Sequence, residues 1–174
     1  MSKVRSVFSF PNPVNEVAAR VVAGGVVVLA VAAMVLGAQG QGWLLAVLAA
    51  GFWARVLTGP TLSPLGQFAV RVAAPRLAPA KFVPGPPKRF AQGMGVAFSS
   101  TALVLWFAFG LHPAALVLTG MLACAAVLES AFGYCLGCRV FGQLMKVGLI
   151  PADVCEACAD ISLRHPERRE PAPV

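Results

Sequence analysis

The sequence is poor in charge: only 12% of its 174 residues are Asp, Glu, Lys or Arg, whereas 58% are hydrophobic. An average soluble domain carries about 25% charged residues. The shortage therefore excludes an ordinary soluble domain and indicates a single domain that contacts lipid. The formal net charge is nevertheless +7. Because the basic residues punctuate apolar runs and have few aromatic or polar neighbours, membrane topology explains them better than nucleic-acid binding does.

Histidine is scarce as well, since the chain has only His112 and His165. The four-helix arrangement derived below puts them on opposite sides of the membrane, which disfavours a haem held by two histidines within the bilayer. The sequence also contains no Ser-His-Asp arrangement, phosphate-binding loop or HExxH motif. The sequence therefore shows no set of catalytic residues for hydrolysis.

Four apolar stretches are long enough, or nearly so, to cross a hydrocarbon core of about 30 Å. They predict an all-α integral membrane protein whose four transmembrane helices cover about 17–37, 42–57, 90–110 and 113–135. Because the connections within each successive pair are very short, each pair is expected to form an antiparallel hairpin. The predicted parts are an N-terminal segment (1–16), a membrane domain (17–138) with a long loop (58–89), and a cysteine-containing tail (139–174).

The long loop is rich in proline and glycine, so no continuous membrane helix fits there. Within it, Ser63 is a good helix cap and Pro64 suits a first turn, and apolar residues then recur at helical spacing. We expect a short amphipathic helix on the membrane surface. The PGPPKR stretch at 84–89 is expected to be extended and solvated. Asn12 and Asn15 are interpreted as caps of the first span.

The basic residues predict the orientation. All 14 of them fall on one side of the four-helix arrangement: three at the start, six between spans two and three, and five after span four. The opposite connections have none. The positive-inside rule then places both termini, the long loop and the C-terminal cysteines in the cytoplasm. The first apolar run is about 20 residues, longer than a signal-peptide core, so we expect it to be retained.

Two CxxC pairs are the only constellation here that suits chemistry: Cys135 with Cys138, and Cys155 with Cys158. Their separation falls within the range of a four-thiolate zinc site, and CxxC is also the spacing of redox dithiols. Cytoplasmic thiols are usually kept reduced, which disfavours a structural disulfide. Three interpretations stay open. All four thiolates hold one zinc, one pair is a redox or sulfur-relay dithiol whose thiolate Arg139 favours, or the thiols are ordinary small residues.

Two further residues in the fourth span are unusual. If that helix continues unbroken, Cys124 shares a face with both cysteines of the first pair, as a small packing residue or as a resolving thiol. Glu129 is an acid within an apolar stretch and is expected to have a partner. Arg20 and Arg55 lie at similar depth and are its predicted partners. The alternative is a proton or substrate site at Glu129.

The stretches PPKRFAQGMG (86–95) and LESAFGYCLGC (128–138) resemble an uncharacterised family of bacterial membrane proteins, domain of unknown function 4395. The resemblance covers roughly residues 11–145, and FGYCLGC is its most specific part. Members are small and multi-spanning, and some are linked to thioredoxin-like or rhodanese-like domains. The resemblance implies thiol or sulfane-sulfur metabolism in the bacterial inner (plasma) membrane, with Cys135 and Cys138 as the candidate pair. The second CxxC pair lies beyond it.

The leading hypothesis is a membrane-embedded, cytoplasm-facing thiol-redox or sulfur-relay component. One thiolate of the Cys135–Cys138 pair attacks, and the other resolves the mixed disulfide or persulfide. The alternatives are a non-enzymatic scaffold with a structural zinc on four cysteines, and a small-molecule transporter subunit that uses Glu129. The expected partners are membrane lipid, thioredoxin-like or rhodanese-like proteins and a second copy of the chain, without nucleic acid. Zinc is the only cofactor that these hypotheses include.

Overall fold

The computed structural model describes residues 10–155. The described chain is helical apart from one short β-ladder. The order of elements is β1 (Val14–Asn15), α1 (Glu16–Ala38), α2 (Trp43–Thr58), α3 (Pro64–Phe68), a π-helical turn (Ala69–Ala73), α4 (Ala74–Leu77), β2 (Phe82–Val83), α5 (Gly85–Phe107), α6 (His112–Phe132), α7 (Leu136–Lys146) and a 3-10 turn (Ala152–Cys155). Most of the predicted N-terminal segment and of the tail, including Cys158 and His165, lies outside the described residues.

Three helices are long and apolar enough to cross a membrane: α1, α5 and α6. They have 23, 23 and 21 residues. At about 1.5 Å per residue they span about 32–35 Å, which matches the hydrocarbon core. Large apolar side chains on their outer faces are exposed, among them Val28, Val104 and Val117. Helices that are apolar all round are typical of membrane proteins.

The helix α2 is shorter, with 16 residues, but it is equally apolar. It packs along α5, while α1 packs along α6 and α5 along α6. Alanines fill the closest approaches, as at the fully buried Ala30 and Ala115. Small side chains let the helix backbones come near one another, which is how apolar helices associate without a hydrophobic driving force.

The two asparagines near the start of α1 have different partners. Asn15 caps α1, since its side chain accepts a hydrogen bond from the Val17 N–H at 3.0 Å, as predicted. Asn12 does not cap α1. Its Oδ1 accepts from the Gly85 N–H at 3.0 Å, at the start of α5. The antiparallel pairing of β1 with β2 brings these two helix starts together.

The prediction for PGPPKR is wrong. The stretch is not extended, because α5 begins at Gly85 and Pro86 and Pro87 occupy its first turn. Proline is tolerated there because the N–H it lacks has no intrahelical partner in a first turn. Nor is the stretch solvated throughout, since Lys88 is only 9% exposed. The helix α5 therefore begins about a turn earlier than the predicted third span and carries a buried cation.

The helix predicted in the long loop is present. Ser63 accepts from the Gly66 N–H at 3.2 Å and Pro64 occupies the first turn, both as predicted. The helical path continues through the π-helical turn to the end of α4. Buried alanines of this segment, Ala69 and Ala74, pack against the first half of α1. The segment is therefore docked on the bundle, with apolar residues such as Phe68 left exposed.

The packing of α5 on α2 gives a test of this fold. A β-carbon added at Gly95 would lie 2.2 Å from the ring of Phe52, which is itself buried. We therefore expect Gly95→Ala to lower the free energy of unfolding by about 1–3 kcal/mol, as overpacked cores do. Thermal unfolding in detergent, followed by circular dichroism, measures the change.

The matched control is Gly93→Ala on the same helix, where an added β-carbon meets nothing within 4 Å. Replacing an unconstrained helical glycine with alanine should stabilise the protein by about 0.5–1 kcal/mol. Equal stability of the two variants would contradict the described packing of α5 against α2.

Candidate functional site

The first CxxC pair lies at the start of a new helix. The helix α6 ends at Phe132, and Gly133 follows with φ of +67°, a left-handed conformation that glycine adopts without strain. The chain then turns, and Cys135 becomes the N-cap of α7. Cys138 lies in the first turn of α7. The pair therefore occupies a helix N-terminus, where the peptide dipoles favour a negative charge.

Cys124 does not share a helix face with this pair. That prediction required an unbroken fourth helix through residue 135, and the left-handed turn at Gly133 ends the helix first. Cys124 is exposed on α6, eight residues before the end of that helix, or about 12 Å along its axis. The structure gives it no place beside Cys135, which disfavours the resolving thiol, and its exposure also differs from that of the predicted small packing residue.

The start of α7 is held directly against α5. A β-carbon added at Gly137 would lie 2.5 Å from the Cα of Ala91, so only a glycine permits this approach. One turn later, the buried ring of Phe141 packs edge-to-face on Phe90 with centroids 5.7 Å apart. These contacts position the CxxC pair beside the first turn of α5.

The predicted Glu129–arginine pair is wrong, because the partner of Glu129 is Lys88. The Lys88 Nζ lies 2.6 Å from the Glu129 Oε1, and the two side chains are only 11% and 18% exposed. This partner was not predicted, because the proline-rich stretch around Lys88 indicated a solvated loop. Two prolines at the N-terminal edge of an apolar run are a helix-start signal, and that signal could have found the cation.

The two arginines proposed as partners of Glu129 bind elsewhere. Arg20 donates to the carbonyl oxygens of Ser130 at 3.1 Å and Ala131 at 2.8 Å, at the end of α6. A cation there complements the negative end of the helix dipole. Arg55 is 5% exposed and donates from Nε to the Gln92 Oε1 at 3.1 Å. Both arginines therefore have structural partners within the bundle.

The two thiols of the pair are not equivalent. The hydrogen bond from the Cys138 thiol lowers the pKa of Cys135, and the nearby Lys88 ammonium lowers it further, although burial and Glu129 act in the opposite direction. The same hydrogen bond, with burial, raises the pKa of Cys138. Cys135 is therefore the group that ionises first, and Cys138 stays a thiol beside it. Thiol exchange needs this difference in pKa, because the nucleophilic cysteine must be ionised while the resolving cysteine stays protonated until the mixed disulfide has formed.

Arg139 was expected to favour the thiolate. Its side chain is exposed, and its guanidinium lies over the ring of Tyr134 at 5.0 Å. The cation that lowers the pKa of Cys135 is instead Lys88. The positive charge therefore comes from α5, through tertiary packing, and not from the residue next to the motif.

A cavity of about 180 Å³ adjoins the pair. It lies among α1, α2, α5 and α6, and most of its wall is apolar, including Val26, Phe52 and Leu122. Three functional groups also line it, those of Gln92, Glu129 and Cys135. The cysteine with the lowered pKa therefore borders both the start of α7 and an apolar chamber in the bundle.

The second CxxC pair is described only in part. Cys155 is buried and takes part in a disulfide bond, in a turn that packs against α5. Cys158 lies outside the described residues. Within residues 10–155, no group of three or more His, Cys, Asp or Glu side chains is placed to hold a metal. Three members of the predicted zinc set, Cys135, Cys138 and Cys155, lie within that range and are not brought together, and Cys155 is in a disulfide bond, which the predicted cytoplasmic location disfavours. The described residues therefore do not assemble the predicted four-cysteine site, whose fourth member is Cys158.

Comparison with known families gives one match. Residues 14–146 match the family described as "Domain of unknown function (DUF4395)". The chain belongs to this family. No curated protein and no solved structure gives a significant match. The DUF4395 region runs from β1 to the last residue of α7, so it contains Lys88, Glu129 and the first CxxC pair and ends before the second.

The hydrogen bond within the pair predicts how the reactivity of Cys135 depends on pH. Cys138→Ala removes the donor, so the pKa of Cys135 should rise and its alkylation at neutral pH should slow, about tenfold for each pKa unit. Glu129→Gln removes a negative charge and should shift the pKa the other way. Iodoacetamide labelling of the reduced protein at several pH values, read by mass spectrometry, measures both. Cys124→Ala is the control, and a shift there as large as in Cys138→Ala would contradict the assignment.

The close approach at Gly137 makes a second prediction. Gly137→Ala should push the start of α7 away from α5, because the new β-carbon meets backbone atoms of Ala91. Cys135 then moves away from Lys88, and its alkylation at neutral pH should slow several-fold. Gly142→Ala, on the same helix but with nothing within 4 Å, should label at the wild-type rate. Equal labelling of the two variants would show that the approach does not control the thiol.

Proposed function

We propose that the protein is a membrane-embedded thiol-redox or sulfur-relay component that works through Cys135 and Cys138. The observation that carries the proposal is the position of Cys135, at the N-cap of α7, hydrogen-bonded by the Cys138 thiol and near the Lys88 ammonium. Helix N-termini and adjacent cations are the features that activate cysteines in thiol-exchange proteins.

The chemistry follows from the two different thiols. The Cys135 thiolate attacks one sulfur of a partner disulfide, and the other sulfur leaves as a thiolate. Cys138 then loses its proton and attacks the Cys135 sulfur of the mixed disulfide. This step releases the second partner thiolate and leaves a Cys135–Cys138 disulfide. In a sulfur relay the Cys135 thiolate attacks the outer sulfur of a partner persulfide. The partner's S–S bond breaks, the partner cysteine leaves as a thiolate, and Cys135 becomes the persulfide.

The proposed topology has four spans, which are α1, α5, α6 and the shorter helix α2. They form two antiparallel hairpins, α1 with α2 and α5 with α6. At about 24 Å, α2 is short for an average bilayer, a mismatch that local thinning accommodates at small cost. In this arrangement the segment at 64–77 lies at the cytoplasmic surface of a bacterial inner membrane, with both termini on the same side. The one-sided distribution of the basic residues supports this orientation.

The proposed partners are thioredoxin-like or rhodanese-like proteins, in which a segment around the reactive sulfur must approach Cys135. Exposed apolar residues flank Cys135 in the chain, since Tyr134 is 41% and Leu136 is 39% exposed. They provide a small apolar surface for such a segment beside the thiolate. The zinc scaffold would require Cys155 as a free thiolate beside Cys135 and Cys138, an arrangement that the described residues do not have. One zinc per purified chain, lost when all four CxxC cysteines are replaced, would favour it over the dithiol.

The dithiol mechanism predicts different products for the two single replacements. With oxidised glutathione as the probe, reduced wild-type protein should form the Cys135–Cys138 disulfide. Cys138→Ser should stop at a glutathione adduct on Cys135, because no thiol remains to resolve it, and Cys135→Ser should form neither product. Peptide mass spectrometry after acid quenching identifies the products.

Cys124→Ser serves as the matched control and should behave as the wild type, since Cys124 lies on α6 away from the pair. The proposal fails if the wild-type protein forms no disulfide between Cys135 and Cys138. It also fails if the adduct in Cys138→Ser forms equally on Cys124, because the helix N-cap would then confer no reactivity.

A further inference from the structure

We propose that the cavity beside Cys135 binds an uncharged quinone dissolved in the membrane, and that this quinone accepts the electrons of the cysteine pair. The inference rests on the proposed function and adds the terminal acceptor to it. It is carried by three features of the cavity: the groups that line it, the part of the bundle to which it opens, and its size.

The lining combines a reactive sulfur with an apolar wall. Cys135 and Gly137 border the cavity, and the remaining wall is made mostly by apolar side chains of four helices. The nearby cations already have partners, since Lys88 binds Glu129 and Arg55 binds Gln92. A charged occupant would therefore be desolvated without compensation, so the cavity selects an uncharged one.

The cavity also reaches the outer surface of the bundle near the middle of α6. Met121 lines it and is 53% exposed, nine residues from the start of that helix, or about 14 Å along its axis. In a bilayer this depth is hydrocarbon. The opening therefore admits a molecule that partitions into lipid. Met94 also lines the cavity, and methionine side chains adapt to different shapes.

The size and polarity of the cavity suit one substituted ring. Its volume is about 180 Å³, and an apolar cavity of about 150 Å³ in another protein admits benzene. The amide nitrogen of Gln92 provides N–H donors for a carbonyl oxygen of the ring, since the amide oxygen accepts from Arg55. An acyl chain would leave this donor and the sulfur unused.

The reaction balances without another reagent. The Cys135 thiolate and the Cys138 thiol lose two electrons and one proton as the S–S bond forms. The quinone takes up these two electrons, the Cys138 proton and one proton from solvent, and leaves as the hydroquinone. The cysteines are oxidised and the quinone is reduced. A soluble dithiol then restores the reduced pair by the reverse of the exchange described above and is itself oxidised to a disulfide, so each cycle passes two electrons from that dithiol to the membrane pool.

The test uses reduced full-length protein in lipid nanodiscs under anaerobic conditions. The probe is tetramethylbenzoquinone, whose fully substituted ring disfavours addition of a thiol, and its absorbance reports reduction. We expect one quinone reduced per cysteine pair. Ala125→Leu fills the cavity from α6 and should slow the reaction at least about tenfold, the loss expected for a barrier about 1.4 kcal/mol higher. Ala131→Leu, exposed on the same helix and away from the cavity, should not.

A second measurement needs no variant. A sulfonated quinone of similar potential carries a permanent charge, so the wild-type protein should reduce it much more slowly than the uncharged quinone. This comparison decides the proposal if Ala125→Leu does not fold. Equal rates for the two quinones, or for Ala125→Leu and Ala131→Leu, would overturn it.

Parallel reaction with oxidised glutathione separates this inference from the proposed function. If the pair exchanges with glutathione but reduces no quinone, the dithiol function stands and the quinone site is wrong, with an acyl chain as the occupant of the cavity. If the pair reacts with neither probe, the proposed function itself fails. Slower quinone reduction in Ala125→Leu with unchanged glutathione exchange supports both.

Discussion

The rest of the structure depends on the ion pair between Lys88 and Glu129. In a bundle with an apolar exterior, either charge alone would be strongly unfavourable, and removing one partner of a buried pair typically costs about 3–5 kcal/mol. The 2.6 Å contact therefore fixes the position of the first turn of α5 against the last turn of α6. The chain turns at Gly133 only a few residues later, so this constraint also determines where the cysteines lie. Packing stabilises the bundle, and the ion pair gives it a specific register.

Sequence patterns predicted much of the fold but little of the site. Long apolar runs identified the helices, and Ser63 and Asn15 were correctly assigned as caps because capping is a local interaction. The end of the helix at Gly133 was not predicted, because apolar residues continue past it at helical spacing. A single residue in a left-handed conformation does not change that spacing. Lys88 was misplaced because the prolines before it suit either an extended segment or a first helical turn. The chain adopts the first helical turn, and this turn places Lys88 against Glu129.

The site also shows why local motifs identify chemistry incompletely. CxxC spacing indicated a dithiol, but it did not show which sulfur ionises, and the adjacent Arg139 was the natural candidate for the activating cation. In the folded protein that cation comes from 47 positions earlier in the chain, through the contact of Gly137 with Ala91. The cavity likewise forms only where four helices meet. Its lining residues recur at helical spacing on α1 and α6, but any packed helix face has that spacing, so the pattern alone does not reveal a cavity. Both features are properties of packing, which a single sequence encodes only indirectly.

The contact of the N-terminal segment with α5 has a consequence for maturation. Asn12 supplies the acceptor for the Gly85 N–H, and Pro11 lies so near that a β-carbon at Gly85 would be 2.6 Å from its carbonyl oxygen. Pro11 and Asn12 are thus part of the folded unit and support the first turn of α5, which carries Lys88. Proteolytic trimming that stops before Pro11 would leave this support intact, whereas a cut after Asn12 would leave the start of α5 without its acceptor. A truncated or tagged protein therefore has to keep Pro11 and Asn12 in place to preserve the start of α5.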